Sequence, residues 1–301
     1  MRVISRVNIE SIIRNRRAMK ALIGMTYQPF MELCETFARV LESQSLKKER
    51  QRAPGGGVKG VLDTVEKKLF FTLFYLKVYP TFDVLGALFG KPRGRSCEAV
   101  HAWMPALEEA LGQKCVLPQR QVRSVEEFRQ RFPEVKDVMM DGTERPIRRP
   151  KGGKSQRRHY SGKKKGHRRK HLVVADGQRR ILILTKGKPG RRHDKNLADR
   201  SDLAGVIPPE VGVIVDTGFQ GVRHPNLFIP VKGSKKRPLS EEQKAGNACI
   251  SSERIVVEHA IGGMKRYGVM TQPLRNKIGI FDDRTALVAA GLWNYHLAMA
   301  A

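Results

Sequence analysis

Val211–Gly218, VGVIVDTG, is a continuous apolar run that stops at an aspartate. Its β-branched residues and its lack of polar alternation mark a strand buried on both faces. Upstream, Val138 to Met140 is a shorter run of the same kind, ending at Asp141-Gly142-Thr143. Between the two, His171 to Ala175 and Arg180 to Leu184 read as strands joined by Asp176-Gly177, a strong hairpin-turn dipeptide. A helix begins at His193-Asp194. Beyond the quoted stretch come a further strand, Leu227 to Val231, the basic turn KGSKKRP and a helix opening near Leu239-Ser240.

The order is therefore three strands, a helix, two more strands and helices. A three-stranded meander followed by a helix and a further strand is the order of the ribonuclease H-like fold. In that topology the first strand and the strand after the helix lie side by side and parallel. Asp141 and Asp216 then project from the same end of the sheet, and a helix packed on the sheet can bring Glu258 to meet them. Three carboxylates around one hollow suit a pair of Mg²⁺ or Mn²⁺ ions, hard cations that prefer oxygen ligands. Such a pair clamps the attacking and leaving oxygens of an in-line phosphoryl displacement.

Glu258 lies in Ser251–Lys265, SSERIVVEHAIGGMK. At about 100° per residue, Arg254, Glu258 and Lys265 fall within roughly 40° of one another, beside an apolar stripe of Val256, Val257, Ala260 and Met264. Ser251 or Ser252 is the expected N-cap, with Glu253 in the first turn. On this segment alone, an ordinary surface ion pair at i, i+4 is the favoured reading of the charges, and what outweighs it lies elsewhere in the chain.

The rest of the chain adds a polyanion partner. With 57 Lys and Arg against 29 Asp and Glu, the formal charge is +28, and nucleic acid is the obvious counterpart. No apolar run approaches the roughly 20 residues of a spanning helix, and MRVISRVNIE has no apolar signal core, so a cytoplasmic, nucleoid-associated protein is expected. Cys34, Cys97, Cys115 and Cys249 lie far apart and read as reduced thiols.

Residues 1–46 read as a helical arm, with Phe30, Leu33, Phe37 and Leu41 at helical spacing, and 47–60 as a basic, glycine-rich linker without the GK[ST] ending of a phosphate loop. Residues 61–119 read as helix, short helix, turn and helix. Val65, Leu69, Leu73 and Leu76 form one face, Thr81 caps Phe82 to Phe89, the turn covers Gly90 to Gly94, and Ser96 caps the last helix. That is a helix-turn-helix layout placing Arg93 and Arg95 where a major groove can be read. A plain three-helix bundle has the same pattern, and the basic turn with the whole-chain charge favours DNA. Residues 120–136 form a connector to a catalytic domain at 137–301, so the expected class is mixed α+β. From Arg145 to Lys170 there are 13 Lys or Arg and no Asp or Glu. Such a tract is solvated or disordered unless a polyanion lies on it. It contains the candidate phosphate contacts Lys163, Lys164, Lys165, Arg168 and Arg169, with His159 and Tyr160 available for stacking. His167 and His171 are not expected to bind metal amid so many cations.

Other acids have simpler roles. Asp176 belongs to its turn, Glu144 to the strand face opposite Asp141, and Asp194, Asp199 and Asp202 to helix caps or solvent. Asp282 and Asp283 suit the N-terminus of the last helix, Thr285 to Leu297.

DGTE at Asp141, YSGKKKGH at Tyr160, HD at His193, VDTGFQG at Val215, and Arg254, Glu258 and Lys265 together resemble the DDE transposases of bacterial insertion sequences, in the group related to Harbinger transposases. The likeness runs from the helix-turn-helix to the C-terminal helix. The family's Tyr, Arg, Glu, Lys series keeps its intervals here, with Ser251 at the tyrosine position. The resemblance implies Asp141, Asp216 and Glu258 as catalytic metal ligands for two Mg²⁺ or Mn²⁺ ions, and Arg254 and Lys265 as phosphate contacts. It also implies recognition of terminal inverted repeats, hydrolysis freeing a 3′-hydroxyl, attack of that hydroxyl on target DNA, and a homo-oligomer on double-stranded DNA. The alternatives are a catalytically inactive DNA-binding protein, either a domesticated transposase or a repressor, and an RNA-binding protein of ribosomal type.

Overall fold

A computed structural model describes residues 7–46, 60–234, 236–276 and 278–300. Nearly all of the expected linker, 47–60, lies outside the described residues. The chain forms two compact units: residues 1–117, 265–272 and 284–301 make a helical one, and 118–264 and 273–283 a mixed one. The C-terminal stretch, expected wholly within the catalytic domain, is thus shared between them.

The helical unit contains α1 (Ile9–Ile13), α2 (Arg16–Leu22), α3 (Tyr27–Leu46), α4 (Val65–Val78), α5 (Phe82–Phe89) and α6 (Arg93–Gln113). Phe30, Leu33 and Phe37 bury the expected face of α3. In α4 burial is not confined to one face: Leu69 through Leu76 are all buried, because the helix packs against α2, α3 and α6 at once. Tyr79, left-handed at φ 52°, ends α4, and the Thr81 hydroxyl accepts from Val84 N to open α5. Gly90, at φ 63°, ends α5. The turn is shorter than expected. Pro92, at φ −57°, already starts α6, so Ser96 is a buried residue inside that helix and not its cap. Gly86 must lack a side chain, since a Cβ there would collide with the Lys91 carbonyl oxygen. Phe71 and Phe74 meet Phe89 edge-on, with ring centroids 5.0 and 5.3 Å apart, fixing the α4–α5 angle.

The mixed unit begins with α7 (Val125–Arg131), within the expected connector, followed by β1 (Asp137–Pro146), α8 (Gly153–His159), β2 (Tyr160–Ser161), β3 (Gly166–Asp176), β4 (Ile181–Leu184) and β5 (Lys188–Pro189). Next are α9 (Asp194–Arg200), α10 (Leu203–Val206), β6 (Gly212–Val215), β7 (Leu227–Phe228) and α11 (Glu241–Lys265). The short α12 (Gly268–Thr271) belongs to the helical unit, and α13 (Gly279–Ala298) opens in the mixed unit and continues into the helical one.

In the sheet β4 pairs antiparallel with β3 and β3 antiparallel with β1, whereas β1–β6 and β6–β7 are parallel. The order β4–β3–β1–β6–β7 is the meander and crossover expected of a ribonuclease H-like sheet. One face is apolar: Val138, Met140, Leu172, Val174, Val213 and Val215 pack with Phe128 of α7 and Leu197 and Leu203 of α9 and α10. The hairpin reading holds in detail, with the Asp176 carboxylate accepting from Gln178 N and Arg180 N. β7 is shorter than its apolar run suggested.

Two expectations fail for identifiable reasons. The basic tract is not solvated throughout: β1 runs to Pro146, β3 starts at Gly166, α8 and β2 lie in the interval, and Arg145 and Lys170 are buried. The Arg145 side chain is 0% exposed because its guanidinium meets Asp282 Oδ1 at 3.1 Å. Asp282 lies in the first turn of α13 and Asp283 directly after it, where Arg169 also pairs with Asp282 and Arg120 lies 3.3 Å from Asp283. The second failure concerns Ser251 and Ser252, which are interior to α11. That helix opens ten residues upstream of Ser251 on a capping box, Ser240 Oγ accepting from Gln243 N at 3.2 Å and Gln243 Oε1 from Ser240 N at 3.1 Å. Among the described residues no helix is long and apolar enough to cross a membrane. All four cysteines are free.

Candidate active site

Met140 and Val215 are register partners across the parallel pair β1–β6, so Asp141 and Asp216 are the next residues on adjacent strands. Each caps its own backbone: Asp141 Oδ1 accepts from Gly142 N, and Asp216 Oδ1 from Gly218 N, both at 2.6 Å. The second contact opens a single helical turn, Thr217–Phe219, that carries the chain away from the sheet.

Glu258 reaches this corner through α11. Val257, Ala260, Ile261 and Met264 bury one side of the helix, and Arg254 and Glu258 sit on the neighbouring side. Arg254 Nη2 lies 3.9 Å from Asp216 Oδ2 and 3.9 Å from Glu258 Oε1, standing between the two acids. The Glu258 side chain is 59% exposed. Lys265 is the last residue of α11 and falls in the helical unit.

The acid that feels this arrangement most is Asp141. Burial raises its pKa to about 6, and the Asp216 and Asp194 anions add to the rise against the opposing effects of Gly142 N–H and Arg254. A buried carboxylate among other carboxylates is stabilised by a cation, and oxygen-only donors of this type fit Mg²⁺ or Mn²⁺. The donor set therefore suits such ions, although the three acids do not form the tightest ligand group. Among the described residues, only His171, Asp282 and Asp283 offer ligand atoms all within 4.8 Å of one another. That group already has its cations, Arg120, Arg145 and Arg169, and burial holds the His171 imidazole below its ordinary pKa, with Nδ1 donating to the Thr185 carbonyl at 2.9 Å.

A fourth acid stands at the corner. Asp194, first residue of α9, lies against Gly142: a Cβ there would be 2.5 Å from Asp194 Oδ1, and one on Gly218 would be 3.6 Å from Asp194 Oδ2. Lys170 Nζ holds Asp194 Oδ1 at 3.0 Å and Glu144 Oε1 at 3.3 Å.

The candidate phosphate contacts divide into two sets. Lys163, Lys164 and Lys165 occupy an exposed turn between β2 and β3, with Lys165 left-handed at φ 46°. Arg168 and Arg169 turn toward the unit's own acids. Arg168 Nε is 3.8 Å from Glu144, and Arg169 pairs with Asp282 and donates to the Gly187 carbonyl at 2.7 Å. Arg93 and Arg95 stand exposed at the start of α6, facing Asp83 at 3.6 Å and Glu98 at 3.0 Å.

Residues 140–294 match the family model of the DDE superfamily endonucleases, and residues 61–113 match the helix-turn-helix of the same superfamily. A probable transposase for insertion sequence element IS702, from Microchaete diplosiphon, is 32% identical over 95% of this chain and 96% of its own length. The chain is a DDE transposase of an insertion sequence. No solved structure matches it.

Endonucleases of the DDE superfamily generally use divalent metals, and the transposase carries a helix-turn-helix for DNA ahead of its acidic corner. Asp194 was set aside in the sequence as a cap or a solvated group. The available signal was the pairing of HD with a glycine directly after the first aspartate, because only a residue without a side chain admits a second carboxylate so close.

Proposed function

We propose that the transposase cleaves the ends of its element by phosphodiester hydrolysis and joins the freed 3′-hydroxyls to target DNA at the corner formed by Asp141, Asp216 and Glu258. The observation that carries this reading is the parallel register of β1 and β6, which delivers Asp141 and Asp216 side by side. When bound there, a pair of Mg²⁺ or Mn²⁺ ions supplies Lewis-acid stabilisation and lowers the pKa of a nucleophile. The chain's own groups do the rest. Arg254 is placed to hold a non-bridging phosphate oxygen while keeping Asp216 and Glu258 apart before DNA arrives. Lys163, Lys164 and Lys165 hold flanking backbone, and Arg93 and Arg95 address the terminal inverted repeats at the N-terminal end of α6. Two ends must be processed together, so the working form is a homo-oligomer on DNA, with Lys265 as a further phosphate contact.

The test is Glu258→Gln in an end-cleavage assay with Mg²⁺. Glu258 is exposed and its replacement leaves the fold alone, so cleavage should fall by at least about 100-fold while binding to end-containing duplex is kept. Full cleavage by this variant would show that Glu258 is wrongly assigned to the site, whereas no cleavage by the parent with DNA still bound would leave the alternative of a DNA-binding protein whose acids do no chemistry.

A further inference from the structure

Beside the acidic corner, on the side of Asp194 and Gly218, the mixed unit carries an open cleft of about 850 Å³. Its volume is in the range of a site for a small organic group. Arg149, Arg157, Lys163, Arg191 and Arg192 line it. Tyr160 stands at the wall, 45% exposed. Its ring meets His167 at 74° and 5.7 Å, edge to face. Deeper in are Glu144 and Lys170, and Glu144 is mostly enclosed, with its side chain 8% exposed. Ser161 Oγ donates to Glu144 Oε1 at 3.1 Å, and Lys170 Nζ lies 3.3 Å from the same oxygen. Oε2 is itself enclosed and has no hydrogen-bond partner, with Arg168 Nε as its ion-pair partner at 3.8 Å, so a ligand reaches it only after a small turn of the carboxylate.

Cations outside, an aromatic ring at the wall and a carboxylate short of a donor are the parts needed by one kind of ligand. Arginine and lysine take its phosphates, tyrosine stacks on its base, and an acid accepts from an exocyclic amino group. We infer that this cleft receives an unpaired nucleotide of the DNA strand being processed, stacked on Tyr160 and read at its amino edge by Glu144. The inference rests on the proposed DNA chemistry at the neighbouring acids and adds a base-reading subsite to it. A strand lifted out of its duplex loses pairing and stacking worth a few kcal/mol, which a stacking wall and phosphate contacts offset. Cytosine presents an amino group where thymine presents a carbonyl oxygen, so a carboxylate attracts the first and repels the second.

The experiment uses the full chain in EDTA, so that no cleavage enters the readout, with fluorescein-labelled oligodeoxycytidylate and oligothymidylate of about ten nucleotides. The expected result is about tenfold tighter binding of the cytosine strand. Glu144→Gln should bring the two affinities together, and Tyr160→Ala should weaken both by about tenfold. Tyr160 is exposed, so its variant should melt like the parent, and a melt of Glu144→Gln separates lost reading from lost folding. Equal affinity of the parent for both strands, a preference that survives in folded Glu144→Gln, or unchanged binding by Tyr160→Ala would each overturn the inference. So would deoxycytidine monophosphate binding as tightly as the strand, since that would make the cleft a site for free nucleotides. Metal-dependent cleavage of duplex ends is measured separately, so failure here leaves that activity standing and the converse failure is equally visible.

Discussion

Gly142 and Asp194 are in contact in a way no other residue at position 142 would allow: a single methyl group there would stand 2.5 Å from the Asp194 carboxylate. The stretch of β1 that carries Asp141 therefore also sets where α9 begins. Gly142→Ala should push Asp194 off Lys170 and away from the acidic corner. Overpacking of this kind costs about 1–3 kcal/mol. The expected outcome is a folded protein with a lowered melting temperature, unchanged duplex binding and end cleavage reduced by at least about tenfold. Parental cleavage rates in Gly142→Ala would show that Asp194 has no part in the chemistry.

The proton on Asp141 sets a second expectation. Its folded pKa of about 6 lies above the ordinary carboxylate value, so between the two values the folded chain holds a proton that the unfolded chain has released. The contribution of Asp141 to stability is therefore fully present below the ordinary carboxylate value, is lost as pH rises from there through about 6, and does not return above it. A divalent ion must displace the same proton. Mn²⁺ affinity should rise about tenfold per pH unit up to about pH 6 and then level off. Calorimetric titration with Mn²⁺ across that range checks it, and a pH-independent affinity would contradict the placement of Asp141 at the metal.

The basic tract divides into residues that face solvent and residues that face the fold, and the two should behave differently in salt. Each phosphate contact adds about 0.9 to the slope of log K against log salt. Replacing Lys163, Lys164 and Lys165 with alanine should lower the slope by about 2–3 and leave melting unchanged. Arg169→Ala, which removes one of the two arginines on Asp282, should do the reverse, costing about 1–3 kcal/mol of stability with little change in slope. Binding titrations at several salt concentrations, paired with urea denaturation, separate the two.

The strands were legible because burial on both faces forces unbroken β-branched runs such as Val211–Val215, and Asp141 and Asp216 were legible because each ends such a run. Short-range signals served wherever partners are close in sequence, as in the Asp176 hairpin and the Thr81 cap. They misled where two signals competed. Ser96 looks like a cap, but Pro92 already opens the helix, and Ser251 looks like one because nothing local shows that the helix expected near Leu239-Ser240 runs on unbroken to Lys265. Arg145 was read as solvated because its partner, Asp282, is 137 residues away. Asp194 lies in the first turn of α9 as its sequence suggests, but its nearness to the corner is hidden because it depends on the missing side chain of Gly142. Distance along the chain conceals charge pairing, and composition alone cannot restore it.

The pairing of Arg120, Arg145 and Arg169 with Asp282 and Asp283 also fixes a timetable for synthesis. Every named strand of the sheet is synthesised before the two acids that pair with these arginines, so during translation the mixed unit carries the charge of Arg145, the buried one of the three, without its Asp282 partner. A chain stopped at Asn276 should leave the amide protons around Arg145 exchanging freely with solvent, and a truncated element should therefore release no DNA-cutting fragment.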